Sequence, residues 1–298
     1  MALRESRREN CASLDGTGQD RMTLVIAVVA LAIFLSLTMA GAWLVALRTG
    51  QSGWIDAIWS FATGVFGAAA ALLPFAGGEI SSRQILVAVL AVLWALRLGI
   101  HIVARTARGG DDPRYRHLRE QWGSAFRSHL FWFLQIQALA ALVLVLSIMI
   151  AAQNPTPGLR VLDWLGIAIL ITAVVGETIA DRQLSTFRLD PGNQGKVCDV
   201  GLWGRSRHPN YFFEWLGWLA YAVIAVDLTG AYPQGWLAFA GPLLMYWLLV
   251  HASGIPPLEG HMLRSRGKAF REYQHRVNAF WPGPQSGAGA AGNKEDHS

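Results

Sequence analysis

In WGRSRHPNYFFEWLGW, residues 203–218, three basic side chains (Arg205, Arg207 and His208) crowd against Pro209. A carboxylate, Glu214, follows inside an aromatic, apolar run. Proline suits the first position of a helix, where its missing N–H would have no partner anyway. A helix that starts at Pro209 directs its first backbone N–H groups and the positive end of its dipole toward the same basic residues, and such ends attract anions. This is phosphate-binding chemistry. Glu214 lies four residues beyond Asn210, about 6 Å along a helix axis. There it can accept hydrogen bonds from hydroxyl, amide or amine groups. A phosphate at the outside and a hydrogen-bonding head further in are the two halves of a dinucleotide.

The elements that position these residues are membrane spans. Of 298 residues 53% are apolar and 15% charged, against about 25% charged in soluble proteins. The apolar residues gather in blocks of about 20, the length that crosses a bilayer, at 23–47, 54–74, 83–103, 129–152, 161–180, 211–229 and 235–252. The first block is too long for a signal peptide and reads as a retained helix. The expectation is an all-α polytopic bundle of about seven transmembrane helices, rich in the Gly and Ala that let helices pack closely in lipid. It forms one domain over 23–282, between disordered tails at 1–22 and 283–298. Cys11 and Cys198 have no metal or redox spacing, and no metal site is expected.

Loops 104–128 and 181–210 and the tail from 253 carry six, five and six Lys/Arg, whereas 75–82, 153–160 and 230–234 carry one between them. The positive-inside rule then places the rich loops and the C-terminus in the cytoplasm and, with seven spans, the N-terminus outside. Arg4, Arg7, Arg8 and Arg21 run against that last assignment. The net charge of +5 follows from this asymmetry and calls for no nucleic-acid partner. Ionisable groups inside spans mark function, and here they share one depth: Asp56; Arg97, His101 and Arg105, spaced by four; Glu177 and Asp181; and Glu214. They predict a single cytoplasm-facing cavity lined from four helices, with no comparable cluster at the outer ends.

The stretch GLWGRSRHPNYFFEWLGW resembles the cytoplasmic motif of the membrane steroid 5α-reductase superfamily, and most closely its bacterial branch, DUF1295. WALRLGIHIVART, GGDDPRY, ETIADRQLSTFR and PPLEGHMLRSRGKAFREYQHRVNAFWP extend the resemblance over roughly residues 50–282. It implies a seven-helix bundle of the bacterial inner membrane, binding NADPH in a cytoplasmic cavity. It also implies reduction of an activated carbon–carbon double bond in a steroid-like or other apolar lipid. The cofactor-contacting positions it assigns are Arg105, Asp112, Arg114, Tyr115, Asp181, Arg188, Asn210, Tyr211, Glu214 and Glu259, beside Arg205, Arg207 and His208. The Gln-Glu pair of steroid reductases is missing from the second span, where Asp56 is the nearest acid, and Ile102 stands where their third span has a tyrosine. His101 and a protonated Asp56 are the expected hydrogen-bond donors to the substrate carbonyl, since burial raises a carboxylic acid's pKa. SRHPNY is also similar to S-adenosylmethionine-dependent membrane methyltransferases of the isoprenylcysteine carboxyl and phospholipid types. Those carry a downstream glutamate pair where this chain has Glu259 alone. A non-catalytic lipid-binding membrane protein is the third reading.

Overall fold

A computed structural model describes residues 2–74, 79–109 and 113–286, with side chains from Arg21 onward (Pro113 excepted). It is all-helical, with no strand among the described residues. The helices are α1 (Ala2–Thr49), α2 (Gly53–Ala71), α3 (Ser82–Ala107), α4 (Pro113–Trp122), α5 (Phe126–Ala152), α6 (Val161–Leu189), α7 (Pro209–Ala225), α8 (Ala240–Trp247) and α9 (Ile255–Arg276). Among the described residues six stretches are long and apolar enough to cross a membrane: Arg21–Thr49, Gly53–Ala71, Ser82–Ala107, Arg114–Ala152, Val161–Leu189 and Pro233–Arg276. The seventh expected span, α7, has 17 residues. It stops at Ala225 because Asp227 turns the chain, accepting from Thr229 Oγ1 at 2.7 Å and from the Tyr232 N–H at 3.1 Å.

The first helix is continuous from Ala2, so residues 2–22 extend it; adding residues to an existing helix avoids the cost of nucleating one. At the other end the chain stays hydrogen-bonded past residue 282, from Gly283 N to Arg205 O at 3.0 Å and from Ser286 N to Arg276 O at 2.9 Å. Residues 287–298 of the expected tail lie outside the described residues.

The chain divides into two compact units, Met1–Asp163 with Ile224–Ala240, and Trp164–Val223 with Gly241–Ser298. In the first unit α2 packs against α3, and α1, α2 and α5 share a core around Leu35, Met39, Leu130 and Leu134. A Cβ on Gly64 would stand 2.1 Å from that of Ala95, so the missing side chain is what lets α2 approach α3 so closely. Polar bonds join the same helices. Trp43 and Trp59 donate their indole N–H groups to the carbonyls of Arg127 and Gln137, at 2.9 and 3.0 Å.

One end of this unit holds a buried polar cluster. Arg83, in the first turn of α3, donates to both oxygens of Asp163 at 3.1 and 2.9 Å and to the carbonyls of Asn154, Thr156 and Gly158 at 2.7, 2.7 and 2.6 Å. These five bonds match the five N–H donors of a guanidinium. Asp163 also accepts from the Arg160 N–H at 2.6 Å. The Arg160 guanidinium reaches the carbonyls of Ile224 and Val226, and Asn154 Nδ2 reaches that of Ala225 at 3.0 Å. Gln153 does the same for Ala71 and Leu73. The last carbonyls of a helix have no partner inside it, and here side chains from the connections supply one. The expectation that the ends joined by 75–82, 153–160 and 230–234 hold no polar cluster is therefore corrected. These groups escaped it because Arg83 and Asp163 sit at span boundaries, where single charges ordinarily reach water.

In the second unit, α6 and α7 meet where Gly176 leaves room for the ring of Phe213, and Trp215 Nε1 donates to Pro242 O at 3.1 Å, tying α7 to α8. Helix α9 kinks at Gly267, whose φ of +50° favours a residue without a side chain. Beyond the kink Phe270, Tyr273 and Val277 share a face, as their spacing predicts. That face is buried, 2–3% exposed, against Val197, Met262 and Leu263. It is a packing face of the unit.

Replacing Arg83 with methionine removes one of the two guanidiniums paired with a fully buried aspartate, leaving Arg160 at 3.3 Å as the other, at a cost of about 3 kcal/mol. The variant is expected to lower the thermal unfolding midpoint of the detergent-solubilised protein by roughly 10 °C. Scanning fluorimetry or circular dichroism checks this, and an unchanged midpoint means the pair does not hold the helix ends.

Candidate functional site

The residues that sequence reasoning singled out form two groups, each coherent inside its own unit. In the first, Asp56 stands in the first turn of α2. Helix α4 opens with Pro113 and sends back Arg114 and Tyr115. Arg114 Nη2 bonds Asp56 Oδ2, and the Tyr115 hydroxyl donates to Oδ1 at 3.0 Å. Gln137 Nε2 donates in turn to that hydroxyl at 3.3 Å, and the Arg114 guanidinium lies 5.8 Å from the Tyr115 ring centre. Tyr115 is buried. Asp56 is thus an acceptor at both oxygens, one of them facing a permanent cation. The segment GGDDPRY is anchored to α2 through it; Asp112 lies outside the described residues. On α3, His101 and Arg105 occupy the exposed face, while Ile102 and Thr106 are buried.

In the second unit the three basic residues before α7 separate. Arg207 holds Glu259, in the second turn of α9, with two bonds: Nε to Oε1 at 2.7 Å and Nη2 to Oε2 at 3.1 Å. His208 Nε2 meets Oε1 at 3.0 Å, and Gln274 Nε2 donates to Oε2 at 2.7 Å. Arg207 also reaches the carbonyls of Gln274 and Val277, and its N–H bonds Asn278 O at 2.8 Å. Ser206 Oγ bonds Phe280 O at 2.9 Å, and the Tyr273 hydroxyl bonds Trp203 O. Residues 203–208 are thereby laced to 273–283 around one carboxylate.

Burial holds the His208 imidazole below its ordinary pKa, outweighing the upward pull of Glu259, and the Arg207 charge pushes the same way as burial. The ring is therefore neutral near pH 7. Because a carboxylate only accepts, it is Nε2 that carries the hydrogen. The ring also stacks on Tyr211 at 5.5 Å. The N–H groups of Tyr211 and Phe212 both bond His208 O, at 3.1 Å each. The start of α7 is thus largely satisfied internally. Of the expected anion site, Arg205 faces outward and is exposed. The half-buried Asn210 makes no side-chain hydrogen bond among the described residues.

Further along α7, Glu214 is 6% exposed and accepts from Trp218 Nε1 at 3.0 Å. Tyr221 is 1% exposed, and its hydroxyl has no hydrogen-bond partner among the described residues. Asn210, Glu214, Trp218 and Tyr221 are spaced by four, four and three, hence on one helix face. This polar stripe runs about 16 Å through an otherwise apolar helix. Sequence reasoning found its first two members and missed Trp218 and Tyr221, although the same spacing extends to them. Asp181 is half-buried and Arg188 exposed on α6.

The comparisons with known proteins agree with this reach. An uncharacterized protein of Schizosaccharomyces pombe is 25% identical over 272 residues, covering 80% of this chain and 75% of the yeast protein. No solved structure matches. The family described as "Protein of unknown function (DUF1295)" matches residues 42–277, which takes in α2 through α9, both carboxylate-centred networks and the α7 stripe. The chain belongs to the DUF1295 family.

Proposed function

We propose that the protein is a membrane-embedded, NADPH-dependent reductase of an activated carbon–carbon double bond in an apolar, steroid-like or other lipid substrate. It would sit in a bacterial inner membrane with its C-terminus in the cytoplasm. The observation that carries this reading is the buried stripe on α7. A carboxylate, an amide and a phenol are held along one face of an apolar helix, and the phenol has no partner of its own. An unpartnered buried hydroxyl costs about 1–3 kcal/mol, and such groups call for an explanation in a ligand or a reaction.

The parts have distinct roles. Glu259 does not touch the ligand; it gathers Arg207, His208 and Gln274 and fixes where α7 begins. Asn210 and Glu214 then present an amide and an acceptor to the cofactor, beside Tyr211. Arg188 and Asp181 on α6 bring charge for the 2′-phosphate and a partner for ribose hydroxyls. When bound, NADPH supplies a hydride, and the chemistry is the cofactor's own while the protein orients and polarises. The protein's contribution is a donor where negative charge develops, and such donors are worth about 10²- to 10³-fold in rate. Tyr221 fits that role better than Asp56, whose two oxygens already accept.

Three measurements test the scheme. Calorimetry on the purified full chain is expected to show NADPH binding at least tenfold more tightly than NADH, lost in Glu214→Gln while the protein stays folded. Binding of S-adenosylmethionine and not NADPH would move the assignment to the methyltransferases, and co-purified lipid alone to a binding protein. Tyr221→Phe is expected to leave NADPH binding intact and to keep or raise the thermal midpoint, since it removes an unpaired hydroxyl. It should lower NADPH-dependent reduction of enone lipids by about 10²-fold; unchanged turnover removes Tyr221 from the mechanism.

The third measurement follows from His208. Its folded-state pKa lies below the ordinary value of about 6.5, so as pH falls through that value the unfolded chain takes up a proton that the folded chain refuses. Stability is then lost on the acid side. Between pH 7.5 and 5.5 the unfolding midpoint should fall. The His208-dependent part of that slope should vanish in His208→Gln, whose amide still donates to Glu259.

A further inference from the structure

A second binding feature lies along α6, away from the stripe on α7. Ile171, Val175 and Ile179 stand on one exposed face, 56, 51 and 44% accessible. Beside them lies an open groove of about 710 Å³, lined also by Gly176 and the ring of Phe213. It is continuous, through Ile179, with a second hollow of about 480 Å³ that reaches Arg182 and Asp190. Arg205 lies at the mouth of the first hollow and Arg182 at that of the second. Both arginines are exposed, and neither makes a side-chain ion pair or hydrogen bond among the described residues. Asp190, the acid at that end, is committed to its own turn, accepting from Gly192 N at 2.8 Å and Asn193 Nδ2 at 3.2 Å.

The shape and the charge select the occupant. From Ile171 to Arg182 the helix rises about 16 Å, roughly half of a hydrocarbon core of about 30 Å. That is the depth of one leaflet. The groove is apolar along this length and cationic at one end only, so it matches an amphiphile with one long chain and a negative head. We propose that it binds one anionic phospholipid, an acyl chain lying along α6 from Ile171 to Ile179 and the phosphate between Arg182 and Arg205. This assigns Arg205 to a lipid head and does not depend on the reductase reading. A lipid in this groove touches none of Asn210, Glu214 or Tyr221.

Native mass spectrometry of the full chain in mild detergent tests the assignment. The probes are phosphatidylglycerol and phosphatidylcholine of identical acyl chains, supplied in equal amounts. The wild type should retain one lipid with roughly a thirtyfold preference for phosphatidylglycerol, the effect of two basic residues at about 1 kcal/mol each near a lipid surface. The Arg182→Gln/Arg205→Gln double variant should bring the ratio close to one. Ile179→Trp, which fills the groove from an exposed position, should lower occupancy by both lipids; Val175→Trp serves the same purpose if the first variant does not fold. Millimolar inorganic phosphate should leave phosphatidylglycerol bound. The proposal is overturned by a wild type without preference, a preference that survives the double arginine variant, full occupancy in the folded tryptophan variants, or displacement by phosphate, which would mark an anion site with no lipid chain. Because the readout is lipid and not dinucleotide, its failure is separate from failure of the reductase assignment.

Discussion

A guanidinium removed from water needs a partner for each of its five N–H groups, and this constraint organises both units. Lipid offers no hydrogen bonds, so helix ends and charged side chains must satisfy one another. Arg83 does this with one aspartate and three loop carbonyls. Arg207 places four of its five in the same way, on one glutamate and two carbonyls at the end of α9. In each case a single carboxylate neutralises the charge while backbone oxygens take further donors. That arrangement makes the burial tolerable. The guanidinium then acts as a many-pointed clasp on chain segments far apart in sequence.

The two clasps have different consequences. The Arg83 clasp closes connections and leaves no group unused, so its role is architectural. The Arg207 clasp stands one residue before His208 and two before Pro209, so it sets the position from which α7 departs. Everything on the α7 stripe inherits its placement from Glu259. A glutamate that binds only protein donors can therefore matter for a site that it does not line. The neutral imidazole beside it donates a hydrogen bond without adding a second positive charge to the cluster.

Membrane character, helix content and the boundaries of α2, α3 and α5 were legible in the sequence, because block length and hydropathy report burial in lipid directly. Asp56, Glu214 and Glu259 were marked too, and each accepts side-chain hydrogen bonds inside its own unit. Pairing was not legible. Nothing in the spacing says that Glu259 reaches back 52 residues to Arg207, or that Arg83 crosses 80 residues to Asp163, since helical periodicity fixes a face and not the neighbour opposite it. The same gap explains why the basic cluster at 205–208 reads as one anion site. Side chains adjacent in sequence at a turn can leave in different directions, and here Arg207 and His208 turn to Glu259 while Arg205 turns out.

That divergence bears on how the α7 stripe should be understood. With Arg207 and His208 neutralised and the first N–H groups of α7 bonded, the outer end of the helix holds little unbalanced positive charge of its own. The hydrogen-bonding groups that remain along α7 are those of Asn210, Glu214 and Tyr221. A polar stripe inside an apolar helix is expensive wherever its members lack partners. Trp218 relieves that cost for Glu214 by donating to it from the next turn. No such neighbour serves Tyr221, whose hydroxyl is therefore the point on the stripe where the physical case for a ligand is strongest.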